Sequence, residues 1–171
     1  MVSPLGNSVE ESWETLVAGK TGAGPITRFD ATDFPVRFAC EVKDLEVAKY
    51  VNLKASLRMD RYTHLALAAA RQAEADSALD VDAVAERTGV AVATAMGGVG
   101  SFEESVGQLN ERGPERLGPF RIVQIIPNLS AGWVSIELGT RGPPLSESTA
   151  CAASNMAIGD GLTRFDSIAR T

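Results

Sequence analysis

The stretch Val90-Ala-Val-Ala-Thr-Ala95 is an almost unbroken run of small apolar residues, and Met96-Gly-Gly-Val-Gly100 follows it directly. Such a run is typical of a β-strand that is covered on both faces. The glycines predict a tight turn, and Ser101-Phe-Glu-Glu104 is a capping box, which predicts the start of a helix. A strand buried on both faces and followed by a helix indicates a layered α/β fold.

Further helices and strands are predicted on either side of this stretch. Ser8 begins another capping box before a short amphipathic helix, and residues 58–78 carry the strongest helical pattern of the chain. The apolar stripe of that helix consists of Tyr62, Leu65, Ala66, Ala69 and Ala73. A second short strand is predicted over residues 145–149 and a final helix over residues 151–168.

The composition is that of a globular domain with an excess of acidic residues. Hydrophobic residues make up 44% of the 171-residue chain, and 16 basic against 22 acidic residues leave a formal net charge of −6. Because the basic residues are scattered, the composition argues against a nucleic-acid-binding protein. No stretch approaches the ~18 continuous apolar residues that span a bilayer, and the first residues lack the pattern of a secretory signal. We therefore expect a cytoplasmic protein without membrane or nucleic-acid partners.

The two cysteines, Cys40 and Cys151, are far apart and form no CxxC motif, so no disulfide framework or zinc site is expected. Cys151 lies at a predicted strand-to-helix junction among small residues. The free amides and partial positive charge of a helix N-terminus favour the thiolate and could also bind an oxyanion. Judged from composition alone, however, a buried and inert cysteine is the better interpretation.

Six stretches of the chain resemble, in the correct order, the N-terminal part of the β-ketoacyl-acyl-carrier-protein synthases of the elongating type II class, which are thiolase-like condensing enzymes. The stretches are Val2-Ser-Pro-Leu-Gly6, residues 13–22, Arg58-Met-Asp60, Met96-Gly-Gly-Val-Gly100, Ile126-Pro-Asn128, and Gly142-Pro143 with Thr149-Ala-Cys151. The resemblance implies the N-terminal half of a layered α-β-α fold, with a mixed sheet flanked by helices. It also implies that residues 1–171 form a partial N-terminal domain, incomplete at both ends.

The resemblance implies a decarboxylating Claisen condensation in fatty acid or polyketide biosynthesis. Cys151 would accept an acyl group from an acyl carrier protein, malonyl carrier protein would supply the attacking carbanion, and no cofactor or metal would take part. Met96 matches the family position that lines or gates the acyl-chain pocket, although filling the core is a close alternative. The backbone amide of Cys151 would provide half of an oxyanion hole. A homodimer is expected of the complete enzyme.

The chain also departs from the family pattern. The family uses two histidines and a lysine from its C-terminal half, whereas the single histidine here, His64, matches none of those positions and is expected to be an ordinary helix residue. Arg121 stands where many relatives carry an aromatic residue. A catalytically incompetent fragment that serves at most as a binding or dimerisation module is therefore the alternative. A small cysteine hydrolase with His64 as its base is a third and weaker one.

Overall fold

The computed structural model describes the backbone of residues 1–169 and the side chains of residues 1–164. The helices are α1 (Val9–Val17), α2 (Leu53–Ser56), α3 (Arg61–Ser77), α4 (Val99–Arg112), α5 (Arg121–Ile125), α6 (Asn128–Leu138) and α7 (Ala153–Ala169). The strands are β1 (Ala23–Pro25), β2 (Phe38–Cys40), β3 (Val90–Ala93) and β4 (Pro144–Glu147). Short 3₁₀ turns lie at Val47–Lys49, Asp82–Arg87, Pro114–Arg116 and Ala150–Ala152.

The central layer is the parallel pair of β3 and β4, in which Val90 lies opposite Pro144. Because successive strand residues point to opposite faces, Val90 and Val92 reach the main core cluster, whereas Ala91 and Ala93 line the other face beside α7. Helix α6 packs on the first face with α3 against it, and α7 packs on the second. This arrangement confirms the expected α-β-α layers. Strands β1 and β2 form a separate antiparallel pair.

The hydrophobic core lies between the central helices and the sheet. Its buried centre consists of Val51, Met59, Leu67 and Val134, and Leu67 is fully buried. Of the stripe predicted for α3, Ala66 packs against this centre, whereas the fully buried positions of the helix are Thr63, Leu67 and Ala68. All five stripe residues line an open groove of about 720 Å³ between α3 and β3.

The helix capping predicted from the sequence is confirmed for α1 and wrong for α4. The Ser8 side chain accepts the Glu11 amide at the start of α1, as predicted. The capping box predicted at Ser101 is wrong, because α4 already begins at Val99 and Ser101 lies within its first turn. Its hydroxyl donates instead to Asp60, a residue 41 positions earlier. The Ser101 hydroxyl thus bonds to a residue that is distant in sequence and does not cap its own helix.

Candidate functional site

The two turns that carry Met96 and Cys151 lie at the same edge of the parallel pair. One follows the carboxyl end of β3 and the other the carboxyl end of β4, and parallel strands end on the same side. Pairing continues past the strands, since the amide of Thr94 donates to the carbonyl oxygen of Glu147 at 3.0 Å. The hydroxyl of Ser148 donates to the carbonyl oxygen of Ala95 at 3.2 Å and so joins the two turns.

Cys151 sits in a single 3₁₀ turn, Ala150–Ala152, and α7 begins two residues later at Ala153. The turn is closed by a hydrogen bond from the Ala152 amide to the Thr149 carbonyl at 3.1 Å. Ala150 has φ 49°, the left-handed region that residues with a Cβ rarely adopt, and such strain is common where a reactive side chain is held up for attack. The Cys151 side chain is exposed. The part of the interpretation that placed Cys151 in a buried position is therefore wrong.

Met96 begins the turn that follows β3, and its side chain is 71% exposed. The turn is tight because Gly97 has φ 78° and its amide donates to the Thr94 hydroxyl at 3.1 Å. A Cβ at Gly97 would lie 2.6 Å from the carbonyl oxygen of Ile125, so only glycine fits there. Since Met96 is exposed, the alternative role of filling the core is wrong.

A pair of carboxyl groups lies between β4 and α7. Glu147 is half-buried, pairs with Ala93 of β3 and meets Asp160 of α7. Partial burial and the adjacent carboxyl group of Asp160 raise the pKa of Glu147. A protonated Glu147 can donate a hydrogen bond to Asp160, which relieves the repulsion between the two groups.

His64 lies half-buried on α3, where its Nε2 atom is 3.0 Å from the carbonyl oxygen of Ser56. The ring links α3 to the preceding helix α2, as expected of an ordinary helix residue. Within residues 1–164, no three His, Cys, Asp or Glu side chains come together in a way that could hold a metal ion. The geometry of the site is that of an exposed thiol at the start of a helix, with a glycine-rich turn beside it.

The model of the β-ketoacyl synthase N-terminal domain matches residues 1–164 of this chain. The chain belongs to the β-ketoacyl synthase family. This finding confirms the resemblance and the thiolase-like fold that were expected from the sequence. Residues 165–171 lie outside this match.

The relatives of this β-ketoacyl synthase chain include curated proteins and solved structures. It is 41% identical over 162 residues to the 3-oxoacyl-[acyl-carrier-protein] synthase 2 of Synechocystis sp., a match that covers 94% of this chain and 39% of the relative. The Staphylococcus aureus protein of that name is 39% identical, with the same coverage. This chain thus spans about two fifths of the length of the curated relatives it matches.

Two solved structures match the fold closely. A structure described as the ishigamide ketosynthase/chain length factor has a TM-score of 0.86 at 35% identity, covering 97% of this chain and 42% of that one. A β-ketoacyl synthase from Burkholderia phymatum has a TM-score of 0.77 at 27% identity, covering 92% of this chain and 40% of that one. Both belong to the ketosynthase fold expected from the sequence.

Sequence reasoning placed Met96 and Cys151 on the two turns that the structure brings together. It missed the bond of Ser148 that joins the two turns, and the bonds between Asp60 and Ser101 that join the starts of α3 and α4. A partial signal existed for Asp60, because an aspartate directly before a strong helical pattern is a typical N-cap. Nothing local in the sequence indicates its second partner, Ser101.

Proposed function

We propose that this chain is the nucleophile-bearing N-terminal domain of a β-ketoacyl-acyl-carrier-protein synthase, a condensing enzyme of fatty acid or polyketide biosynthesis. The observation that carries the proposal is the exposed Cys151 at the start of α7, in a chain that belongs to the β-ketoacyl synthase family. The names of the curated relatives favour this role over a binding module without catalysis. The domain is proposed to comprise residues 1–171.

In the first step, the Cys151 thiolate attacks the carbonyl carbon of an acyl group carried as a thioester on acyl carrier protein. The tetrahedral oxyanion collapses, the thiol of the carrier leaves, and the acyl group remains on Cys151 as a new thioester. The backbone amide of Cys151 is proposed to donate to this oxyanion. Because the Cys151 side chain is exposed, a carrier-bound thioester can reach it.

In the second step, malonyl carrier protein loses carbon dioxide and its carbanion attacks the acyl carbonyl carbon on Cys151. The new carbon–carbon bond forms, the Cys151 thiolate leaves, and the β-ketoacyl group stays on the carrier. Met96 is proposed to line the pocket for the acyl chain, because its exposed side chain lies on the turn joined to the Cys151 turn through Ser148. Its flexible thioether suits contact with chains of varied shape.

The partners proposed are acyl carrier protein and a second copy of the chain. An apolar stripe supports self-association: Val99, Phe102, Val106 and Leu109 recur at helical spacing along α4, and each is at least 40% exposed. Within the described residues, no helix is long and apolar enough to cross a bilayer. A cytoplasmic location is proposed because both cysteines are unpaired, as is usual in reducing compartments.

The loading step gives the sharpest test. Acyl carrier protein bearing an acyl group is incubated with the chain, and the intact mass is recorded. We expect one acyl adduct, its loss in Cys151→Ala and its retention in Cys40→Ala, which removes the other exposed thiol. The absence of any adduct on the unmodified chain, or an adduct that persists in Cys151→Ala, would overturn the proposal.

A further inference from the structure

The carboxylate of Asp60 joins the N-terminal ends of two helices that are distant in sequence. Its Oδ1 accepts the amide of Tyr62 at 3.1 Å and so caps α3. Its Oδ2 accepts both the amide and the hydroxyl of Ser101, at 3.1 and 2.6 Å, in the first turn of α4. Ser101 is buried. A negative charge is favourable at a helix N-terminus, and here one carboxylate serves two of them.

The turn that carries Met96 is packed directly against this junction. The amide of Gly98 donates to the carbonyl oxygen of Ile125 at 3.0 Å. A Cβ at Gly98 would lie 3.1 Å from Oδ2 of Asp60 and only 2.2 Å from the carbonyl oxygen of Gln124. The backbone of the turn at Gly98 therefore lies close to both Asp60 and the end of α5, with little free space between them.

We infer that Asp60 is a positioning residue, which fixes the Met96 turn relative to the strand end that carries Cys151. The inference rests on the proposed function, in which Met96 shapes the acyl pocket. Asp60 holds the turn from the α4 side, while the bond from Ser148 to Ala95 holds it from the Cys151 side. Asp60 itself touches no reacting atom and acts through the turn.

The carboxylate is needed because one side chain accepts three hydrogen bonds from three donors. In Asp60→Asn the side chain keeps its size but has a single acceptor atom, and its amide group faces an N–H donor. Either the cap of α3 or the bond from the Ser101 amide must be lost, and if the new amide group faces Ser101, the hydroxyl bond survives only by reversing its direction. Hydrogen bonds to a charged acceptor are the stronger ones, so the attachment of α4, which directly follows the turn, to the start of α3 is weakened.

A matched control exists within the chain. Asp30 accepts the amide and the hydroxyl of Thr32, at 3.0 and 2.6 Å, which is nearly the same bond set as that between Asp60 and Ser101. The partners of Asp30 are only two residues away in an exposed loop, so Asp30→Asn removes the same chemistry without affecting any long-range junction.

The first readout is amide hydrogen exchange of the full chain, followed at Gly97, Gly98 and Ser101. In Asp60→Asn we expect these amides to exchange at least about tenfold faster, and in Asp30→Asn to exchange as in the unmodified chain. Ser101→Ala keeps the α3 cap and removes the 2.6 Å bond to Asp60, so it should give a smaller increase in the exchange rates. If Asp60→Asn does not fold, the exchange rates of Ser101→Ala test the role of the junction. Unchanged exchange in these Asp60 and Ser101 variants would overturn the inference.

The second readout is the ratio of Cys151 acylation rates for a short and a long acyl chain. A role limited to stability would lower both rates together, whereas a displaced Met96 should change their ratio by at least about threefold in Asp60→Asn. An unchanged ratio would refute the link to the acyl pocket. If the unmodified chain takes up no acyl group while exchange still responds to Asp60, the proposed function fails and the positioning of the turn stands.

Discussion

Gly98 is the position at which the smallest change should disturb the site most. It is buried, and a Cβ built on it would lie 2.2 Å from the carbonyl oxygen and 3.0 Å from the carbonyl carbon of Gln124. Real Cβ atoms stay at least about 3.4 Å from such atoms in ordinary contact, so Gly98→Ala forces the two backbones apart by more than an ångström. Since φ at Gly98 is −82°, alanine meets no conformational strain there, and the cost is purely one of contact.

The magnitude follows from two contributions. Forcing an extra methyl group into a packed site costs about 1–3 kcal/mol. The displacement also breaks the bond from the Gly98 amide to Ile125, a loss of about 1 kcal/mol. We therefore expect Gly98→Ala to lower the free energy of unfolding by about 3 kcal/mol, a large fraction of the ~5–15 kcal/mol typical of a domain.

Gly107→Ala provides the matched control. Gly107 lies inside α4, the helix that Gly98 caps, and no atom lies within 4 Å of a Cβ built there. Alanine in a helix interior is favoured over glycine by about 0.5–1 kcal/mol, so Gly107→Ala should raise stability. Because both variants replace glycine by alanine, they restrict the unfolded chain equally, and their difference of about 4 kcal/mol reports the folded state.

The assay is urea unfolding of the three proteins, followed by circular dichroism and tryptophan fluorescence, with the slopes compared. Equal midpoints for Gly98→Ala and Gly107→Ala, or a midpoint of Gly98→Ala equal to that of the unmodified chain, would show that the close contact at Gly98 carries no such cost.

Two further predictions concern the Cys151 side of the site. Ala150→Gly should raise the free energy of unfolding by up to about 1 kcal/mol, because glycine adopts φ 49° without the cost that a Cβ brings. Thermal unfolding measures this change, and a loss of stability would contradict the prediction. The pKa of Glu147 is raised, so the folded chain binds this proton more tightly than the unfolded chain does. Protonation of Glu147 therefore stabilises the folded chain at low pH. This stabilisation is lost as the pH rises from the ordinary glutamate pKa of about 4.3 through the raised pKa of the folded chain. Glu147→Gln should remove that part of the pH dependence, and identical stability–pH curves would show that the contact with Asp160 has no effect on folding.

The elements that were predictable from sequence are those fixed by neighbouring residues. The strand Val90–Ala93 is apolar at every position, and that pattern can be recognised without knowing its partners. The cover expected on both faces is incomplete in this chain, because Val90 and Val92 are half-buried and Ala91 is exposed. The junction between β4 and α7 was also predicted from neighbouring residues, namely the short strand, the small residues around Cys151 and the helix that follows them. Ser8 caps α1 as its local pattern indicates.

The parts that were not predictable depend on contacts between distant residues. Ser101 and Glu104 satisfy the local rule for a capping box, yet the hydroxyl of Ser101 finds the carboxylate of Asp60 in the folded chain. Alternation along β4 predicts that neighbouring residues face opposite sides, but it cannot say that Glu147 faces α7. Trp13 lies in the amphipathic helix α1 and is 63% exposed, since the apolar pattern of α1 does not specify what covers it.

The site itself follows from topology more than from any one residue. Two neighbouring parallel strands must end at the same edge, so the turns after β3 and β4 are brought together whatever their sequences. What the sequence adds is rigidity at that edge. Ser148 ties the Cys151 turn to Ala95, and Asp60 ties the opposite side of the Met96 turn to α3. These two anchors lie on opposite sides of one short turn, and under the proposed function they fix the separation between the Met96 side chain and the Cys151 thiol.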